Sequence, residues 1–163
     1  MQEGSIYSAL VEGRFVLKFV GDVRLTLCAS LDRHLEESLR DDAVSEVLID
    51  LTQTEGIDST SLGLIAKLSI KAKALNLDKP ALVSTNPDIT RILYTMGFDH
   101  IFLLLEELPP NVQALRELPL VQESVEDMKE RIIAAHRILM DLNETNREAF
   151  KDLVSTLESV KEK

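Results

Sequence analysis

Hydrophobic positions along the chain come in short runs separated by polar and turn-forming residues, and the spacing changes from run to run. Ser5 to Val11 alternates moderately (Ile6, Ser8, Leu10), Glu12-Gly13 is a turn signal, and Arg14 to Val20 resumes the alternation. Two alternating runs around a short glycine-containing turn predict a β-hairpin. Leu27, Leu31, Leu35 and Leu39 recur every four residues, which predicts a helix from a Thr26 cap to about Arg40. Val44 to Leu51 is nearly continuous in apolar residues and reads as a buried central strand. Leu64 to Leu75 reads as a second helix, with Lys67, Lys71 and Lys73 set among apolar residues. It stops before Pro80, since proline cannot continue a helix. Ala81-Leu82-Val83 is a further short strand, and Asn86-Pro87-Asp88 opens a helix with proline in its favoured first turn. Ile89, Ile92, Leu93 and Met96 give that helix one apolar face, and Gly97 supplies its stop. Ile101 to Leu105 reads as the last strand, and Leu108-Pro109-Pro110 as the start of a short helix through Leu115. Hairpin, helix, strand, helix, strand, helix, strand predicts a mixed α/β fold, its helices covering one or both faces of a sheet.

After Pro119 the pattern changes. Val121, Val125, Met128, Ile132, Ala135, Leu139, Leu142, Asn146, Ala149, Leu153, Thr156 and Val160 alternate spacings of four and three. That is a heptad seam with no proline or glycine inside it. Ile133, Ile138, Phe150, Val154 and Leu157 widen the stripe. Around Leu142 to Asn146 the seam weakens, and Thr145 with Glu148 has the form of a capping box, so two helices are equally consistent with the pattern. The tail has two readings: a helix or hairpin folded back onto the domain, or a coiled-coil module for self-association or a second partner. The organisation is therefore residues 1–116 as a domain and 117–163 as a helical extension.

Composition narrows the function. With 163 residues the chain is long enough for a real core. Its net charge of −10, from 28 acidic against 18 basic residues, argues against nucleic acid or an anionic membrane as partner. No stretch reaches the roughly 20 apolar residues of a membrane span. The N-terminus lacks the basic-then-apolar form of a secretory signal, and Cys28 is the only cysteine. Both features point to the cytoplasm. The three histidines are scattered and have no metal-ligand spacing, and no phosphate-binding glycine loop or nucleophile elbow occurs. No catalytic residue, metal or cofactor is expected, and the chain reads as a non-enzyme.

The remaining chemistry lies in Asp58-Ser59-Thr60-Ser61-Leu62-Gly63, between the central strand and the second helix. Three hydroxyls sit at a helix start, where unpaired N–H groups and the dipole favour an anion. Either they cap the helix, or one of them is a phosphorylation site. Asp50 and Asp58 are expected to flank this loop, from the strand end and the helix start.

Strand, Asp-Ser-Thr-Ser-Leu-Gly, helix resembles the phosphoacceptor loop of STAS domains, the fold of bacterial anti-sigma factor antagonists. The family usually reads Asp-Ser-Ser-Gly-Leu-Gly, with the regulatory serine directly after the aspartate. The resemblance places Asp58 at the aspartate, Ser59 at the phosphoacceptor, Thr60 at the second hydroxyl and in reserve, and Leu62-Gly63 at Leu-Gly. Ser61 departs from the pattern, standing where the family usually has glycine. Gly21-Asp22-Val23-Arg24 is similar to the family's Gly-Glu-Leu-Asp turn, which borders the partner surface, and Arg24 replaces the usual aspartate. Residues 84–98 resemble a further family stretch, so the likeness covers about residues 5 to 115.

The resemblance implies a STAS fold and a partner-binding surface made of Gly21, Asp22, Asp58, Ser59, Thr60, Ser61, Leu62 and Gly63. It also implies a transcription-regulating switch, in which an anti-sigma factor or equivalent regulator is held until a serine kinase modifies Ser59 and regained after a phosphatase acts. Two other roles fit a STAS domain: accessory subunit of a membrane lipid transporter, and sensor of a small ligand.

Overall fold

The computed structural model describes residues 2–40, 42–110 and 115–160. Its elements are β1 (Ser5–Val11), β2 (Arg14–Val23), α1 (Cys28–Ser38), β3 (Glu46–Ile57), α2 (Ser59–Ala74), β4 (Ala81–Val83), α3 (Pro87–Thr95), β5 (Leu103–Leu105), β6 (Arg116–Glu117), α4 (Val125–Leu142) and α5 (Glu144–Ser159). The six strands form one sheet in the order β5-β4-β3-β2-β1-β6. β2, β3, β4 and β5 run parallel, whereas β1 is antiparallel to both its neighbours.

The β1–β2 hairpin closes through Glu12 and Gly13 at φ of 51° and 84°. This left-handed pair twists with the strands it joins. β3, β4 and β5 are each reached through a helix, as a parallel neighbour requires. Alternation along the strands then sorts side chains to two faces. Phe15, Leu17, Phe19, Val47, Ile49, Leu51 and Leu82 meet the apolar sides of α1, α2 and α3 in one large core. Their alternate neighbours Val16, Leu48 and Val83 form a small patch with Ala81, Leu105 and Leu115. The helices thus cover one face.

Several boundaries differ from the sequence reading. The central strand does not stop at Leu51: β3 runs on through Ile57, because residues 53–57 keep pairing with β2 across two register shifts. Thr26 does not cap α1. The chain makes a 3-10 turn over Leu25–Leu27 and enters the helix with no side-chain cap. The last strand shortens to Leu103–Leu105 because Phe98–His100 winds into another 3-10 turn after Gly97, at φ 85°. The helix expected through Leu115 falls partly on residues 111–114, outside the described residues; Leu108 to Pro110 is not helical.

The tail is two helices folded back on the domain. α4 starts at Ser124, whose side chain accepts from the Asp127 N–H, and α5 starts at Asn143, whose side chain accepts from the Asn146 N–H. Asn143 is the cap, rather than Thr145, because the chain is extended there, at φ −166° and ψ 168°. That break resets the helical phase, so the heptad seam is not one face. Ala135, Leu139 and Asn146 are buried, while Val125, Ala149, Leu153, Thr156 and Val160 are exposed. Phe150, Val154 and Leu157, which only widened the stripe, are the inward positions of α5. Leu139 is fully buried and joins the same apolar core as β3 and α2.

Candidate functional site

β2 and β3 end side by side. Val23 pairs with Ile57, and the Asp58 N–H donates to the Val23 carbonyl at 3.1 Å. The two loops singled out in the sequence, Gly21–Arg24 and Asp58–Gly63, therefore lie together at one end of the sheet. Asp58 joins them. Its Oδ1 accepts from the Ser61 N–H at 2.8 Å, capping α2, and its Oδ2 accepts from the Leu25 N–H at 2.7 Å. One carboxylate thus satisfies two otherwise orphaned donors and ties the start of α2 to the turn before α1. Capping falls to Asp58, which releases all three hydroxyls from that role.

The three hydroxyls have different surroundings. Thr60 is 6% exposed and Ser61 1% exposed, both inside the fold. Ser61 Oγ lies 3.4 Å from Cys28 Sγ, whose thiol is pushed up to about 12, chiefly by burial. The thiol stays protonated and is no nucleophile. Ser59, the first residue of α2, is only partly buried. Its Oγ lies 2.7 Å from His136 Nε2 on α4. His136 Nδ1 is 2.7 Å from the Ile132 carbonyl, which can only accept, so Nδ1 carries the proton. In the neutral ring Nε2 is then the acceptor and Ser59 donates. His136 is itself buried, its ring edge-on to Phe150 with centroids 5.0 Å apart.

Gly21 takes φ 77°, and a Cβ there would lie 2.7 Å from the Gln2 carbonyl oxygen, so glycine is required. Asp22 Oδ2 accepts from Arg24 Nε at 2.9 Å, and this bond is the largest cause raising the guanidinium pKa. Arg24, the departure from the family turn, thus closes the turn on itself. Asp50 does not flank the loop. It sits inside β3, 1% exposed, where its Oδ1 accepts from both N–H and Oγ1 of Thr52.

α2 carries the other functional feature. Thr60 through Ala66 are all buried, seven successive residues. At 3.6 residues per turn they sweep the whole circumference, so this half of α2 has no solvent side. The sheet covers one flank and α4 another. A Cβ on Gly63 would lie 2.6 Å from the Ala135 carbonyl carbon and 2.7 Å from its Cβ, so glycine sets how closely α2 and α4 approach. Charges line the rim: Asp32 of α1 accepts from Lys67 of α2 at 2.6 Å and from Arg131 of α4 at 3.2 Å. Arg131 also pairs with Glu123. Glu36 takes Lys71 at 2.9 Å and Lys67 at 3.3 Å, and these lysines hold its carboxyl below the usual range.

Sequence reasoning missed His136, Arg131 and Asp32. His136 follows Ile132 by four residues and lies beside Ala135 on the apolar stripe, a signal that it faces inward. Which surface it would meet depends on the fold of the tail.

No group of three or more His, Cys, Asp or Glu among the described residues could hold a metal ion. No helix among the described residues is long and apolar enough to cross a membrane.

Comparison with known proteins fits this architecture. A putative anti-sigma factor antagonist from Thermotoga maritima is similar at 22% identity and TM-score 0.55, covering 62% of this chain and 86% of that one. An anti-sigma factor antagonist from Mycobacterium paratuberculosis is similar at 21% identity and TM-score 0.53, covering 65% and 88%. The anti-sigma factor antagonist SpoIIAA in its unphosphorylated form is similar at 12% identity and TM-score 0.53, covering 64% and 89%. SpoIIAA, the Bacillus cell fate determinant, is similar in its phosphorylated form at 13% identity and TM-score 0.52, covering 63% and 92%. No curated protein sequence is a significant match. The STAS domain profile matches residues 8–115, two-thirds of the chain, and the chain belongs to the STAS domain family.

Proposed function

We propose that this protein is a phosphorylation-switched, non-enzymatic binding module: an anti-sigma factor antagonist in a partner-switching pathway of the cytoplasm, with Ser59 as the phosphoacceptor. The observation that carries this reading is the placement of Ser59. It is the only hydroxyl of its group not buried, it follows the capping aspartate, and it lies at the first turn of α2 beside the Gly21–Arg24 loop. Membership of the STAS family and the fold shared with anti-sigma factor antagonists support it.

The switch rests on electrostatics. Phosphate on Ser59 adds about −1.5 to −2 charge at neutral pH. The dipole at the start of α2 stabilises such a charge by about 0.3–1 kcal/mol, so the domain stays folded. A regulator docked over Asp22, Ser59 and the α2 start would have to bury the dianion unpaired, which costs far more than the dipole returns. Unphosphorylated, the protein holds the regulator; phosphorylated, it releases it. A serine kinase and a phosphatase set the ratio.

The test is capture from native lysate on Ser59→Ala and Ser59→Asp baits, with mass spectrometry of what is held. A regulator kept by the alanine form and lost, by at least about tenfold, from the aspartate form is the expected result. Identical captured sets on both baits would overturn the switch.

A further inference from the structure

We propose that the α4–α5 hairpin is a displaceable cap that occupies the partner face of its own domain, and that the chemical state of Ser59 decides whether it is seated. This rests on the reading of Ser59 as the phosphoacceptor. Two of the residues expected to form the partner surface, Ser59 and Gly63, are covered by α4. Ser59 Oγ lies 2.7 Å from Nε2 of buried His136, and Gly63 is packed against the backbone of Ala135. A kinase can take hold of Ser59 only while the hairpin, and with it the bond to His136, is off. A second protein cannot reach Gly63 while Ala135 lies on it. The hairpin and the regulator are therefore alternatives at one surface, and both need the unmodified serine: the regulator holds the unphosphorylated chain by displacing the seated hairpin, and phosphate on Ser59 excludes both.

The contact is sensitive to modification because of its hydrogen-bond sense. The Ile132 carbonyl fixes the Nδ1 proton of His136, so with the neutral ring the seated state uses the Ser59 O–H as its donor. Phosphorylation replaces that proton with phosphorus, so the ester oxygen can no longer donate to Nε2, and it sets a bulky dianion at the boundary between α2 and α4. Arg24, which interacts with the Asp58 charge, is already bonded to Asp22, Arg131 of α4 is taken by Asp32 and Glu123, and Asp58 adds a like charge beside the site.

α4 also shows what replaces it. A competitor that fills the same surface presents an amphipathic helix with a small residue over Gly63 and a cation at Asp32.

The experiment is hydrogen–deuterium exchange on the full chain carrying phosphoserine installed at position 59 during synthesis, which needs no kinase and no partner. Exchange across α4 and α5 rises at least about tenfold, while β3 keeps its protection. Unchanged or increased protection of α4 overturns the cap. Ala135→Glu, a change on the hairpin alone, must release α4 and α5 in the same way with Ser59 unmodified; if it leaves their exchange unaltered, the proposal fails even where the phosphoserine chain does not fold. A hairpin that stays seated in a chain whose baits still switch partners refutes only the cap. A hairpin that leaves, in a chain whose baits hold identical sets, refutes only the partner reading.

Discussion

The two contacts that bury α2 are made differently. Towards the sheet the contact is hydrocarbon: Ile49 and Leu51 of β3 are essentially unexposed, and they join α2 residues in one cluster. Towards α4 the contact mixes apolar residues with polar ones. Leu139 and Ala135 are apolar, but Ser59–His136 crosses the boundary as a hydrogen bond, and Asp32–Arg131 ties α4 to α1 beside it. Asn146 adds a tie from the start of α5, donating to the carbonyls of Met96 at 2.8 Å and Leu139 at 2.9 Å. Polar pairs return to water at little cost when surfaces part, whereas hydrocarbon does not. The sheet side has the chemistry of a permanent core, and the α4 side that of a separable interface.

Truncation on the two sides sharpens this contrast most. Ile49→Ala removes a side chain from the centre of β3 and lowers stability by about 2–5 kcal/mol, read as a fall in the urea midpoint with the whole domain unfolding together. Leu139→Ala removes similar hydrocarbon on the other side, yet its loss falls first on exchange in α4 and α5. Equal acceleration of β3 and α4 exchange in Leu139→Ala would show that the hairpin is part of a single cooperative core, and the contrast would collapse.

A smaller effect comes from Asp58, which joins the start of α2 to the turn before α1. Asp58→Ala deletes the cap of α2 and its bond to Leu25, costing about 1–2 kcal/mol. It loosens the start of α2 and the Leu25–Leu27 turn together, visible as faster exchange of the Leu25 and Ser61 amides. Loss at Ser61 alone would mean that Asp58 does not join the two loops.

Much of this was legible in the sequence. The hairpin at Glu12-Gly13, the Asn86 cap followed by Pro87 and the Gly97 stop are local signals, and their positions held because turn and cap chemistry needs no distant partner. The Asp58–Gly63 stretch was legible for the same reason. Boundaries set by long-range pairing were not: the extension of β3 from Leu51 to Ile57 depends on β2 lying beside it. The tail shows the limit most clearly. Its heptad spacing is real, but an extended Asn143 breaks the helix and turns Leu153 and Val160 outward, while Phe150 and Val154 turn in. The partnership of Ser59 with His136 spans 77 positions, and nothing local to either residue encodes it.

The most direct measurement is phosphate mapping of the protein taken from its own cells, under conditions where it holds its regulator and where it does not. The account predicts phosphate on Ser59, absent from the held form and present in the released one, with buried Thr60 and Ser61 unmodified. Phosphate confined to Thr60 or Ser61, or Ser59 phosphate at equal occupancy in both forms, would contradict it.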